Sequence, residues 1–235
     1  CKDCLLQKDA AEDTAQELPK RRIFQQGEQY WEQLAGENIN WCGHEAFVQY
    51  VMNVSDLVGK QEKLRRILED EKKLVDVLRI LDGTQPLEER LNRVLKTIGE
   101  DYQAERAYIF RVEEFIDNTY EWCAAGVEPQ IGFLQHLELG YMERWMPYFQ
   151  KGENVIVADL EEIRVSQPDE YEILKKQSVH SYMEAPIMND GKLTGFIGVD
   201  NPSGDRLEHS GELLLSLAYL ISVTLEKARI EQQQN

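Results

Sequence analysis

His180-Ser-Tyr-Met-Glu-Ala-Pro-Ile-Met-Asn-Asp-Gly-Lys-Leu-Thr-Gly-Phe-Ile-Gly-Val-Asp200 is the stretch whose reading decides the fold. Two apolar runs, His180 to Met188 and Lys192 to Asp200, flank Asn189-Asp190-Gly191. Asp-Gly between alternating hydrophobic runs is a strong hairpin signal, because both residues accept the positive φ of a tight two-residue turn. Alternation along the first run puts Met183, Ala185 and Ile187 on one face and Tyr182, Glu184 and Pro186 on the other. On the second run Leu193, Ile197 and Val199 fall to the core side and leave Phe196 and Asp200 opposite. Glu184 is the unusual residue, since an unpaired carboxylate inside an apolar strand is costly to bury. Two readings remain open for it: a cavity wall, or a sheet face open to water.

Outward from the hairpin, the pattern predicts a long helix from about Leu207 to the end, with a seam of Leu214, Ala218, Ile221, Leu225 and Ala228. Upstream, Pro168 to Gln177 reads as a polar helix, Val155 to Ala158 as a short buried strand, and Tyr141 to Phe149 as an aromatic-rich helical region. Arg106 to Glu113 and Thr119 to Ala125 read as strands. They follow a helix with a stripe of Leu87, Leu91, Val94, Leu95 and Ile98, for which Thr84 can cap and Pro86 fits the first turn. This order demands an α+β antiparallel sheet with helices segregated to one side.

Further back, Leu57 to Leu81 carries charged residues around Leu57, Leu64, Ile67, Leu74, Leu78 and Leu81, spaced by threes, fours and sevens. That spacing predicts a parallel two-stranded coiled coil over residues 56–83, with a single helix packed on its own domain as the alternative. Pairs such as Glu62/Arg66 and Glu69/Lys73 stand four residues apart in the favourable order. Residues 1–55 predict short strands: Arg21 to Phe24, a turn at Gly27, Tyr30 to Leu34, a break at Gly36, Ile39 to Trp41, the Cys42-Gly43 turn, and Ala46 to Val54. Strands this few, with no helix to cover them, should be marginal alone.

The whole chain has 235 residues, 42% of them hydrophobic, with four Trp, ten Tyr and seven Phe, which suffices for a core. A formal charge of −17 argues against binding to nucleic acid or anionic lipid, because both need a cationic face. No run approaches the roughly 18 to 20 apolar residues of a membrane span, so membrane insertion is not expected and a cytoplasmic location is. The start at Cys1 and the unstopped helix at Asn235 lead us to expect a segment of a longer polypeptide. Four scattered cysteines, Cys1, Cys4, Cys42 and Cys123, are expected to be reduced thiols rather than a disulfide framework.

Several stretches resemble known signalling families. Arg106-Ala107-Tyr108-Ile109-Phe110, Asn118-Thr119-Tyr120-Glu121-Trp122-Cys123, Ala185-Pro186-Ile187 and Gly195-Phe196-Ile197-Gly198-Val199-Asp200-Asn201-Pro202 are similar to the strands of a GAF domain. That resemblance covers 84–235. Ile39 to Asp56, ending in Asn53-Val54-Ser55-Asp56, resembles the last strands and exit of a PAS domain, so 1–55 is expected to be its C-terminal part. The GAF resemblance implies a ligand cavity on the sheet face opposite the two long helices, roofed by the insert after the second strand. Its ligand-binding candidates are Tyr182, Glu184, Phe196, Trp122, Trp145 and Asp200, with Tyr148 a further aromatic wall. The arrangement implies a sensory module of a bacterial signalling protein that binds an unknown small molecule or relays a conformational change through a dimeric helix to an output domain. It would act as a homodimer through Leu64, Ile67, Leu74, Leu78, Leu81 and the terminal helix. The output expected elsewhere is a GGDEF diguanylate cyclase, with a ligand-free spacer of a sensor histidine kinase as the alternative.

Enzymatic chemistry is not expected in the segment itself. Phe196 and Asp200 keep the spacing of a cyclic-nucleotide signature, but Asn201 stands where that signature has Glu, and no Asn-Lys pair precedes it. His136 lacks the neighbouring Cys of bilin-attaching domains. A methionine sulfoxide reductase needs several cysteines, and 84–235 holds only Cys123. Cys1-Lys2-Asp3-Cys4 with Cys42 and His44 could in principle give four metal ligands, but no second CxxC or His pair completes a known spacing, so no metal is expected; the cofactor is left unknown.

Overall fold

The computed structural model describes residues 20–25 and 28–234. The Cys1/Cys4 pair and the turn at Gly27 lie outside the described residues. The chain divides into two compact units, up to Glu69 and from Asp70 onward.

The first unit is a three-stranded antiparallel sheet in the order β1 (Lys20–Gln25), β2 (Glu28–Trp41), β3 (His44–Asn53), followed by the start of α1 (Ser55–Leu81). β2 does not break at Gly36. It runs on because Gly36 pairs with Gln49, and the Phe47 ring occupies the space where a Cβ would project. A residue that reads as a turn is therefore a strand position that must stay small. The turn at Cys42-Gly43 forms as read, with positive φ at both residues. Ser55 ties helix to sheet: its Oγ accepts from the Trp31 backbone N–H at 2.8 Å. Trp41, Phe47, Tyr50, Val51 and Met52 remain exposed, so this sheet buries little, as three strands lead one to expect.

The second unit is a five-stranded antiparallel sheet in the order β5-β4-β8-β7-β6: Ile116–Cys123, Arg106–Val112, Lys192–Asp200, Tyr182–Asn189, Val155–Val157. β7 and β8 form the anticipated hairpin, with Asp190 at φ 47° and Gly191 at φ 74°. On one face lie α2 (Leu87–Tyr102), α6 (Gly211–Gln233) and the last turns of α1. They close a core over Ala107, Ile109, Met183, Ala185, Ile187, Ile197 and Val199. The other face is covered by the insert between β5 and β7. This insert contains α3 (Met146–Phe149), α4 (Pro168–Lys176) and two short 3₁₀ turns, Leu139–Met142 and Leu160–Ile163.

α2 starts at Leu87 after Pro86, and Thr84 makes no cap. Proline disfavours helical backbone in the residue before it, so Gln85 cannot belong to the first turn. The terminal helix is also two pieces. α5 (Gly204–His209) stops at Ser210, whose carbonyl accepts the Tyr102 hydroxyl at 2.9 Å, and the Gly211 carbonyl accepts from Asn154 at 2.7 Å.

Two β-bulges set which residues face which side. Thr119 is unpaired in β5, and its Oγ1 donates to the Ile109 carbonyl at 2.9 Å; Thr194 is unpaired in β8, and its Oγ1 donates to the Ile187 carbonyl at 3.1 Å. Each bulge shifts the alternation by one. Leu193 consequently packs with the insert side and not with the helices, where simple alternation had placed it.

The heptad seam is only partly free. Leu81 is buried and Leu74 packs on the second unit's core, whereas Leu64, Ile67 and Leu78 are exposed. On α6, Leu214, Ala218 and Ile221 lie fully buried on the sheet. The terminal seam read as a helix-pairing surface is therefore spent within the domain, because the sheet needs that apolar stripe to cover it. No helix among the described residues is long and apolar enough to cross a membrane.

Candidate functional site

β4 supplies the floor of a cavity on the insert side. Arg106, Tyr108 and Phe110 alternate onto this face, while Ala107 and Ile109 turn to the helices. β8 adds Phe196 and Asp200, β7 adds Glu184, and β5 adds Ile116 and Glu121. The roof consists of Leu134, Leu137, Tyr141, Met142 and Trp145, with Glu170, Ile173 and Leu174 of α4. The cavity, partly open to solvent, holds about 80 Å³, room for several waters. Phe110 and Phe196 stack at 4.8 Å between ring centres, and Trp145 meets Phe196 edge-on at 5.5 Å.

The polar groups form two tied clusters. In the first, Arg106 Nε donates to Asp200 Oδ2 at 2.9 Å, and Arg106 Nη2 donates to the Gln177 carbonyl at 2.7 Å. In the second, Arg144 grips Glu170 through Nε and Nη2 at 2.9 and 2.6 Å, Trp145 Nε1 donates to Glu170 Oε1 at 3.2 Å, and the Tyr182 hydroxyl bonds the same carboxylate. Glu121 Oε2 accepts from the backbone N–H groups of Gln130 and Ile131 and so holds the insert's entry against β5.

Glu184 belongs to neither cluster. It is 3% exposed, and its Oε2 has no hydrogen-bond partner among the described residues. The Tyr108 hydroxyl lies 3.2 Å from Glu184 Oε1 and 3.0 Å from Asp200 Oδ1. One phenol proton serves only one of them. When Tyr108 donates to Asp200, the shorter contact, Glu184 can bond the Tyr108 oxygen only by carrying a proton of its own. Burial pushes the Glu184 carboxyl well above the usual carboxylate range, and the nearby Glu170 and Asp200 push it further, consistent with that proton. Burial also raises Asp200, opposed by Arg106 in direct contact. Gly198 makes the arrangement possible: the Tyr108 ring lies 2.4 Å from where a Cβ would be.

Of the six candidates, Glu184, Phe196, Trp145 and Asp200 line the cavity. Tyr182 is fully buried just behind them, its hydroxyl turned to Glu170. Trp122 is elsewhere. It pairs with Ala107 across β5 and β4, faces the helices, and fills the notch left by Gly99 of α2. Tyr148 is 45% exposed and does not line the cavity. Arg106, Tyr108, Phe110 and Glu121 were missed, although the period-two reading of Arg106 to Phe110 contains the first three. Glu170 carried no signal, because a carboxylate on a polar helix reads as a solvated one. Cys123 and His136 are not among the lining residues, and burial pushes the Cys123 thiol up to about 11. Among the described residues no cluster of His, Cys, Asp and Glu could hold a metal ion.

The fold has known counterparts. The chromophore-binding domain of the Stigmatella aurantiaca bacteriophytochrome in its Pr state superposes with a TM-score of 0.55 at 18% identity, covering 88% of this chain and 73% of that one. A far-red absorbing protein with bound biliverdin IXa gives 0.56 at 22% identity, covering 67% of this chain and 99% of that one. These likenesses show the fold alone. In sequence, the chain is 32% identical over 135 residues to the methanogenesis regulatory histidine kinase FilI of Methanothrix harundinacea (strain 6Ac), covering 51% of this chain. The chain spans 14% of that relative's length. The model of the GAF domain family matches residues 86–225, the same stretch that builds the sheet, its helices and the roofed cavity, and the chain belongs to the GAF family.

Proposed function

We propose that this chain is the sensory input module of a larger signalling protein, in which a small molecule bound non-covalently under the insert biases the packing of helices that lead to an output domain. The observation that carries this reading is a roofed aromatic cavity containing a buried carboxyl group with one unsatisfied oxygen. Ligand sites are concave, largely apolar and equipped with a few convergent polar groups, and this one fits that description. A ligand that favours one helix arrangement over another shifts the population between them. The module itself performs no chemistry in this reading. The segment up to residue 55 is taken as the C-terminal part of a PAS domain, and 56–83 as a coiled-coil connector in a cytoplasmic homodimer. The relative's identity as a regulatory histidine kinase supports a kinase as the output, and the diguanylate cyclase draws no support from it.

The test is a thermal-shift screen of small metabolites against the whole chain. A compound that raises Tm with saturating dependence on concentration, and loses its effect when Phe196→Trp fills the cavity, supports the reading. A second reading, a ligand-free spacer, is favoured by one observation: about 80 Å³ is small beside the several hundred Å³ of drug-sized ligand sites. If no small molecule raises Tm and Phe196→Trp stabilises the protein, the spacer reading replaces the first.

A further inference from the structure

The geometry points to a compact organic cation with N–H donors, such as a primary ammonium ion, as the ligand class of the cavity. This inference rests on the ligand-binding reading above and deepens it. Glu184 is nine-tenths buried or more, lines the cavity, and carries an oxygen with no partner, so the site lacks a hydrogen-bond donor at that point. The charge count has the same sign. Among the described residues, four carboxyl groups line the cavity, Glu121, Glu170, Glu184 and Asp200; even with Glu184 protonated, three carboxylates face two cations, Arg106 in the lining and Arg144 behind Glu170. Arg106 is committed to Asp200 and Arg144 to Glu170, which leaves Glu184 without a cation. The cavity is also lined by the aromatic side chains Tyr108, Phe110, Trp145 and Phe196, and aromatic rings attract a desolvated cation. An anion would meet those carboxylates, and a purely apolar molecule would leave Glu184 unsatisfied.

Binding should be linked to a proton. Every charged or titratable group near Glu184 bears on this: Tyr108 and Arg106 from β4, Asp200 from β8, Tyr182 from β7, Glu170 from α4, and Arg144 from the insert. Burial, with Glu170 and Asp200 nearby, favours the proton on the carboxyl when no cation is present, against the pull of Tyr108 and Arg144. A bound ammonium ion supplies the missing partner, the carboxyl proton leaves to solvent, and a carboxylate-ammonium pair remains. About one proton is therefore released per ligand bound below the folded-state pKa of Glu184.

The experiment uses the whole chain and isothermal titration calorimetry at pH 7 in two buffers of different ionisation enthalpy. The probes are methylammonium, ethylammonium and benzylammonium, with tetramethylammonium, ethanol and acetate as comparisons. The expected result is saturable binding of at least one primary ammonium ion, proton release read from the buffer dependence, and at least tenfold weaker binding in Glu184→Gln. Tetramethylammonium, which cannot donate to Glu184 Oε2, should bind at least tenfold more weakly than the best primary amine. Backbone amide shifts in the NMR spectrum at Phe196 and Asp200 would confirm that the probe sits in the cavity and that Glu184→Gln remains folded. The inference is overturned if primary ammonium ions fail to bind, or bind Glu184→Gln equally well. If a neutral or anionic molecule instead saturates those shifts, the cation is wrong and the ligand-binding module stands. If nothing of any charge moves them, both are lost.

Discussion

At the scale of single residues, Glu184 and Arg106 show opposite ways of keeping a charged group in a core. Burial holds Glu184 toward its protonated form. Its folded pKa lies above the ordinary glutamate value near 4.5, so the stability it contributes is full below that value and is lost as pH rises toward the folded pKa. Glu184→Gln should therefore be more stable than the parent at pH 7, by about 1–3 kcal/mol, with the two converging near pH 4. Urea unfolding across that range checks this, and a gap that widens on acidification would count against the protonated carboxyl. Arg106 instead is paired, 2.9 Å from Asp200, with both side chains nearly inaccessible. Arg106→Ala strands the Asp200 carboxylate and is expected to cost about 3–5 kcal/mol in urea unfolding. Asp200→Asn should cost less, since its one amide oxygen can still accept from the guanidinium while its amide N–H turns to the Tyr108 oxygen. Equal costs for the two would show that the pair matters only as volume.

At the scale of elements, the two threonine bulges and one glycine notch decide which face each side chain serves. α2 approaches β5 closely because Gly99 has no side chain, and a Cβ there would lie 2.1 Å from the Trp122 ring. Gly99→Ala should destabilise the protein by about 1–3 kcal/mol through overpacking, despite alanine's better helix propensity. Trp122→Leu in the same chain should recover part of that loss. A thermal melt of the three variants decides the matter, and a stabilised single Gly99→Ala would show that the helix can back away. Thr119 and Thr194 act differently, since each hydroxyl closes the backbone gap that its own bulge opens. Replacing either by Val keeps the shape and removes the bond, for an expected loss of about 1 kcal/mol in urea unfolding.

At the scale of the molecule, the helices have divided their apolar surface between two uses. The stripe Leu214, Ala218 and Ile221 of α6 is fully buried on the sheet. The opposite side of α6 and the adjoining turns of α1 leave Val75, Leu78 and Tyr219 exposed around a shallow groove that also contains Leu74, Leu215 and Leu220. Two copies pairing through this groove would draw on a different set of residues from the terminal seam read in the sequence. Leu78→Glu combined with Tyr219→Glu should halve the sedimenting mass if that groove is the pairing surface. An unchanged mass would leave only the Leu64 and Ile67 portion of α1 to hold two copies together.

Sequence alone determined the order of elements, the Asp190-Gly191 hairpin, the apolar stripe of α2 and the oddity of Glu184. These follow from local periodicity and turn chemistry, which act over a few residues and need no partner to be read. The partition of side chains between the two sheet faces was decided by tertiary structure. A single bulge inverts alternation, and Trp122 and Leu193 both changed sides relative to their sequence reading. The same holds for Glu170, whose partners Arg144, Trp145 and Tyr182 come from distant parts of the chain. It holds too for the helix seams, where the spacing of leucines fixes which residues share a stripe and leaves open whether that stripe meets a sheet or a second chain. Burial is a property of what lies opposite, and only the folded chain brings the opposing surface into place.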